Sequence, residues 1–307
     1  MTNSVFEESW WLDIAAPGKW NEAVVKDGDK VIARLPYVFD KGVITNPTYT
    51  QTLGIWMDPS LREKDKGGSN IHKQKEIIGE LIAQLPKSKR ISIILDHSQS
   101  YILPFRWLDF RIEPTFSYRI RGVNETDVRN ELYGKTVKKN IKAASRHVSI
   151  DTDCDDFEIL VNMQDKTYKR QGRSNPVDRN VTLDIMKKTV ERGHGKLLVA
   201  RGEDGRAHSA GFFIFDERIC YYLLGGFDPE FNSDGSQNLL LDAGIEFAQG
   251  VSRDFDFEGS MVEGIENFYR QYGGDLVTNY HVSKQRLIYD IEDIMKPRIK
   301  RMIGYKV

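Results

Sequence analysis

Cysteine is nearly missing from this sequence. Cys154 and Cys220 are the only two in 307 residues, and they stand far apart in no metal-ligand spacing. That excludes a disulfide framework, and no zinc or other metal site is expected. An excess of charge of one sign is also missing. The 44 basic residues face 45 acidic ones, for a net charge of -1. The total is therefore silent on nucleic acid, and only local clusters can speak for it. No apolar run approaches the roughly 18–20 residues that cross a bilayer. The start, MTNSVFEESWWLDIAAPGKW, lacks a charged segment followed by an apolar core, so no secretory signal is expected and the expected location is the cytoplasm.

What is present is ordinary globular material. Hydrophobic residues make up 40% and charged residues 29%. At about 150 residues per domain, the length suggests two domains. Turn and charge residues thicken at Asp58–Asn70, read as a surface loop, and at Arg119–Asp127, read as the boundary between halves. The expected domains are 1–124 and 125–307.

The first half alternates helix and strand signals. Ser4–Ile14 has helical spacing with Ser4 as cap, 21–26 and 31–38 form a hairpin over Asp27-Gly28-Asp29, 72–85 is a helix, and 90–95 is a strand. In the second half the pattern predicts helices over 134–147, 156–171 and 182–193. Strands over 196–200, 207–215 and 218–224 follow. A helix at 236–249, a strand at 254–257, a helix at 265–272 and a strand at 276–282 complete it. The expected class is α/β or α+β, a mixed sheet flanked by helices.

Three local words narrow this. YYLLGGFDPEFNSDGSQNLLLDAGIEFA resembles the fourth strand, turn and third helix of a GNAT acyltransferase domain. FDFEGSMVEGIENFYRQYGG resembles the fifth strand and fourth helix of the Fem-like branch, which carries two such domains in tandem. TVKKNIKAASRHVSI resembles the basic helix that opens the second domain there. The first half is similar only through PYVFDKGVITNPTYTQTLGIW. The resemblance implies two tandem GNAT-like domains, the first on the acceptor side.

It also implies a site. Leu224, Gly225 and Gly226 would offer strand backbone to a pantetheine arm, since small side chains let a ligand approach. Gly235, Ser236 as helix cap, and Gln237 would hold phosphate at a helix start. Acyl-coenzyme A is the implied donor. The loop departs from the family's Gln/Arg-x-x-Gly-x-Gly/Ala pattern at Asn232 and Gln237, and Asp234 places a negative charge there. A plain strand-to-helix turn is the other reading of the loop.

Glu258 is the candidate general base, or else a carboxylate that caps a turn or pairs with an arginine. Asp256 shares its face, while Phe255 and Phe257 face the core. Tyr269 is the candidate proton donor to a leaving thiolate, or else a packing residue. Fem-type enzymes that use aminoacyl-tRNA have lysine at the position of Tyr269, and Arg270 lies about 100° further round the helix. Ser260 and Arg270 are candidate substrate contacts, as are Tyr37, Tyr49, Gln51 and Trp56 of the first half. Lys135, Lys138, Lys139, Lys142 and Arg146 form a basic stripe, either solvated or holding a phosphorylated ligand. The tail from Tyr289 is basic and amphipathic, interrupted by Pro297, and either docks on the chain or touches anionic lipid.

The expected function is an acyltransferase that moves an activated acyl or aminoacyl group to an amine. The acceptor would be a small molecule or a cell-envelope or polysaccharide precursor. N-acetyltransferase-like transfer, of groups other than aminoacyl groups, is preferred. A tRNA partner is disfavoured and DNA is not expected. The alternatives are an aminoacyl-tRNA-dependent ligase of peptidoglycan precursors and a non-catalytic GNAT-like ligand-binding protein.

Overall fold

The computed structural model describes residues 1–63, 67–170, 172–259 and 261–285. The chain divides into two compact units, Met1–Thr115 with the chain from Asn279, and Phe116–Thr278. This differs from a single division at 124. The strand β6, Arg111–Ile120, carries the chain into the second unit, and β12, Asp275–Gln285, brings it back. The turn residues after Arg119 lie inside the second unit because Arg119 and Ile120 pair with Asp256 and Phe255.

In the first unit, α1 is Ser9–Ala15, preceded by a 3-10 turn, Val5–Glu7. Ser4 makes no side-chain cap there, so the expected single helix is two pieces. The strands are β1 (Trp20–Asp27), β2 (Lys30–Asp40), β3 (Val43–Thr45), β4 (Trp56–Met57) and β5 (Arg90–Leu95). Their order is β1-β2-β3-β5-β12, with β4 paired to β2. The β1–β2 hairpin closes over Gly28 at φ 59°, a left-handed turn that suits glycine. Helix α2, Ser69–Ala83, buries Ile77, Ile78 and Leu81, and α3 is Leu103–Trp107.

This unit also buries a carboxylate. Glu7 is 1% exposed and accepts from the amides of Asn3 at 2.7 Å and Gly54 at 2.9 Å. Burial, with the charge of Asp96, raises its carboxyl from 4.5 to about 7. The fold thus prefers the protonated form. The stability Glu7 contributes is whole below about pH 4.5 and is lost as pH rises through about 7. The expected loss is about 3 kcal/mol across that window. Urea unfolding at pH 5 and pH 7.5 should show it, and Glu7→Gln should abolish the difference.

In the second unit, α4 is Val128–Glu131, α5 Lys135–Ala144, α6 Glu158–Arg170, α7 Arg179–Glu191, α8 Ser236–Val251 and α9 Glu263–Arg270. The further strands are β7 (Val148–Asp151), β8 (Gly195–Gly202), β9 (Ala207–Phe215), β10 (Ile219–Phe227) and β11 (Asp254–Asp256). The order is β6-β11-β10-β9-β8-β7. All neighbours are antiparallel except β10 and β11. The long apolar runs follow from burial on both faces. Phe212 meets Phe157 near the start of α6, while Phe213 fills the space at Gly244 of α8.

Candidate functional site

The site grows from the parting of two strands. β10 and β11 run together from Ile219↔Asp254 to Tyr221↔Asp256. β10 then continues to Phe227 along β9, with a register shift between Tyr222 and Leu224. A bulge of this kind bends the strand and re-aims its side chains. Leu224, Gly225 and Gly226 pair with Phe212, Gly211 and Ala210. Among the described residues, no strand pairs with them on the β11 side.

The two glycines have a different reason. A Cβ on Gly225 would lie 2.0 Å from Tyr222 Oη, and one on Gly226 would lie 2.9 Å from the Met163 Cβ of α6. The molecule's own side chains, not an incoming ligand, require both to be glycine. Tyr222, which the sequence alone does not mark, therefore lies against both Gly225 and Tyr269.

Where β11 ends, the backbone turns left-handed. Glu258 and Gly259 both have φ 63°. For a non-glycine residue this conformation is strained by the order of 1 kcal/mol or more and is held only by its surroundings. Gly259 has no alternative, since a Cβ would fall 2.2 Å from the Phe116 carbonyl oxygen. Asp256 pins the turn by accepting the Glu258 amide at 2.8 Å. The same carboxylate accepts from Arg119 Nε at 2.9 Å and Nη2 at 2.7 Å, and from Ser117 Oγ at 2.5 Å. Asp256 is thus neither solvated nor catalytic in placement; it is the buried brace beneath Glu258.

Glu258 itself is half-buried, with Oε1 shielded from solvent. Burial first, and then the Asp256 charge, raise its carboxyl well above the ordinary range, against the opposing pull of Arg119. Tyr269 of α9 lies within its electrostatic reach. Burial raises the Tyr269 phenol, and Tyr222 and Glu258 raise it further. The Tyr269 ring lies 5.3 Å from Phe257 and meets Tyr222 edge-on at 6.3 Å. The structure therefore gathers Glu258, Tyr269 and Tyr222. Arg270 is exposed and engaged with Glu266 and Asn267. A recess of about 310 Å³ adjoins the turn, lined by Phe116, Tyr118, Met261, Glu263, Glu266 and Leu276.

The start of α8 departs from expectation. Gly235, at φ 81°, is the cap residue, and Ser236 is fully buried without capping by its side chain. Asp234 supplies the cap: its Oδ1 accepts the Ser236 amide at 2.8 Å. Its Oδ2 is 2.6 Å from His208 Nδ1, and that ring stacks on Phe231 at 3.6 Å. Gly235 is needed because a Cβ would lie 2.8 Å from the Asn140 carbonyl of α5. The chain's own carboxylate therefore stands where an anion would otherwise meet the helix start. Gln237 follows, half-buried.

Of the first-half candidates, Tyr37 lies on β2 and Trp56 on β4 opposite Arg34, and Tyr49 and Gln51 lie in the segment between β3 and β4. Tyr49 is left-handed, at φ 55°. Asn46 ties this segment down, donating to the carbonyls of Thr50 and Gln51. Ser260 and the tail from Tyr289 lie outside the described residues.

Comparison with known families now adds to this geometry. The model of the acetyltransferase (GNAT) domain matches residues 132–268. That segment is a GNAT domain. It holds Tyr222, Glu258 and the start of α8. Among solved structures, FemX is similar over 92% of both chains, at 12% identity and a TM-score of 0.64. The C-terminal domain of a protein described as a lysylphosphatidylglycerol synthetase from Agrobacterium fabrum aligns over 95% of this chain and 92% of its own, at 10% identity and TM-score 0.58. A tandem GNAT protein from the clavulanic acid biosynthesis pathway aligns over 90% and 86%, at 10% identity and TM-score 0.55. At these identities the likeness establishes the fold, two tandem GNAT-like domains. No curated protein sequence matches the chain.

One expectation is corrected. Transfer restricted to groups other than aminoacyl groups does not stand, because the structures sharing this fold end to end include FemX and a synthetase whose named product carries a lysyl group.

Proposed function

We propose that this GNAT acyltransferase moves an aminoacyl group, carried as an ester on RNA, to an amine. The carrying observation is Asp234. Its carboxylate caps α8 and is braced by His208, so a coenzyme A pyrophosphate would meet negative charge there rather than free amides. The fold shared with FemX and the lysylphosphatidylglycerol synthetase domain supports the same reading.

The basic stripe gives the RNA a place. Lys135, Lys138, Lys139, Lys142 and Arg146 are all exposed, on or just beyond α5. Asn140 on that helix donates to Asn238 of α8 at 3.0 Å, so the helix that carries the stripe packs on the one that Asp234 caps. In this reading Glu258, in its ionised form, takes the proton of the attacking amine. Its raised affinity for protons makes it a stronger base than an ordinary carboxylate.

Incubation with charged tRNA and a panel of amine acceptors tests the proposal. Transfer abolished by ribonuclease is expected, together with no heat of binding to acetyl-coenzyme A. Tight coenzyme A binding with acetyl transfer would overturn it. A second expectation concerns the stripe. The double change Lys139→Glu and Lys142→Glu should raise KM for charged tRNA by ~10-fold or more and flatten its salt dependence, leaving the unfolding midpoint in place.

A further inference from the structure

The Tyr222 hydroxyl has a place made for it. Gly211 of β9 and Gly225 of β10 are cross-strand partners. A Cβ on Gly211 would fall 2.8 Å from Tyr222 Cε2, and one on Gly225 2.0 Å from its Oη. The ring thus lies across both glycines. Phe213 holds it from one side at 5.3 Å, and Tyr269 meets it edge-on. Gly225 is exposed and Tyr222 half-buried, and both lie just beyond the last pairing of β10 with β11.

Resting on the aminoacyl-transfer reading, we infer that Tyr222 is a catalytic residue whose phenol donates the proton to the leaving oxygen. The amine nitrogen attacks the ester carbonyl, forming the C–N bond and moving the π pair onto oxygen. That pair returns as the C–O ester bond breaks. The leaving oxygen keeps the electrons of that bond and takes the proton from Tyr222 Oη. The Glu258 carboxylate takes one proton from the attacking nitrogen. Return of that proton to the Tyr222 phenolate restores the site. In sum, one proton moves from the acceptor nitrogen to the leaving oxygen. A phenol suits this step because an alkoxide is more basic than a phenolate, and burial keeps the Tyr222 phenol protonated.

The test compares Tyr222→Phe, which keeps the ring, with the unaltered protein. With charged tRNA, kcat is expected to fall ~100-fold while KM stays within about threefold. The unfolding midpoint should not move. Gly225→Ala, whose Cβ takes the hydroxyl's place, should show a similar loss. With an aminoacyl adenylate as donor, the leaving phosphate departs without a proton, so the deficit of Tyr222→Phe should shrink toward one. A Tyr222→Phe protein that keeps more than about a third of kcat, or loses equally with both donors, overturns the inference while the aminoacyl reading stands. If the unaltered protein transfers nothing from charged tRNA, that reading falls and this inference falls with it.

Discussion

Glu258→Gln is expected to lower kcat by ~10²–10³-fold with little change in KM, the range that a positioned proton acceptor supplies. Glutamine keeps the size and polarity of the side chain but cannot take a proton. The pH profile separates this role from a packing role. Only the carboxylate accepts the amine proton, so kcat should rise with pH. Burial and Asp256 raise the Glu258 carboxyl, so that rise should lie well above the ordinary carboxylate range. The Glu258→Gln protein should have no such limb. Stability should move the other way. A raised carboxyl contributes stability that is whole below its ordinary pKa and lost as pH rises through the raised one. At pH 9 the glutamine variant should therefore be at least as stable as the unaltered protein. A less active but not less stable protein marks a strained functional position, as the left-handed backbone at Glu258 suggests.

Arg119→Met should have the largest effect on stability, a loss of about 3–5 kcal/mol read by urea or thermal unfolding. The Arg119 side chain is 5% exposed and that of Asp256 is 1% exposed. Methionine fills much of the space but leaves the Asp256 carboxylate buried without the guanidinium, bonded to Ser117 and one amide. An uncompensated buried charge costs more than the pair contributed. Arg119 is also the group that draws the Glu258 carboxyl downward. Its removal should push the pH–rate limb of any surviving activity higher still. Adding Asp256→Leu should recover much of the stability, since an apolar pair of similar volume is often as stable as a buried ion pair. It should not recover the rate, because the Glu258 amide would lose the acceptor that holds its turn.

The second half was legible because its elements are locally encoded. Helices near 135–144, 158–170, 179–191 and 236–251 and strands near 195–202, 207–215 and 219–227 follow from hydrophobic period and turn residues, each within a few positions. Phe255 and Phe257 are fully buried, as strand alternation required. Short words in the sequence also offer Glu258 and Tyr269 as candidates, and the charge of Glu258 acts on the Tyr269 phenol.

Other features had no local signature. The return of β12 to β5 joins residues far apart in the chain, such as Val282 and Ile93, so it moved the unit boundary without a mark near Arg119. Asp234 reads in sequence as a charge that spoils a phosphate loop, whereas its bonds to Ser236 and His208 make it the cap. Asp256 reads as a second acid on the face of Glu258, and only Arg119, brought alongside by β6, makes it a brace.

By itself, then, the sequence determined the run of helices and strands and the GNAT-like words, and it offered Glu258 and Tyr269 as candidates. Periodicity and turn chemistry act over a few residues, and those features are written at that range. The tertiary structure alone decided which side chains crowd the two strand glycines, which tyrosine lies across them, and which carboxylate braces the turn. Each depends on atoms from distant parts of the chain meeting at close range. Burial and neighbouring charge then set the chemistry of residues whose type alone left it open.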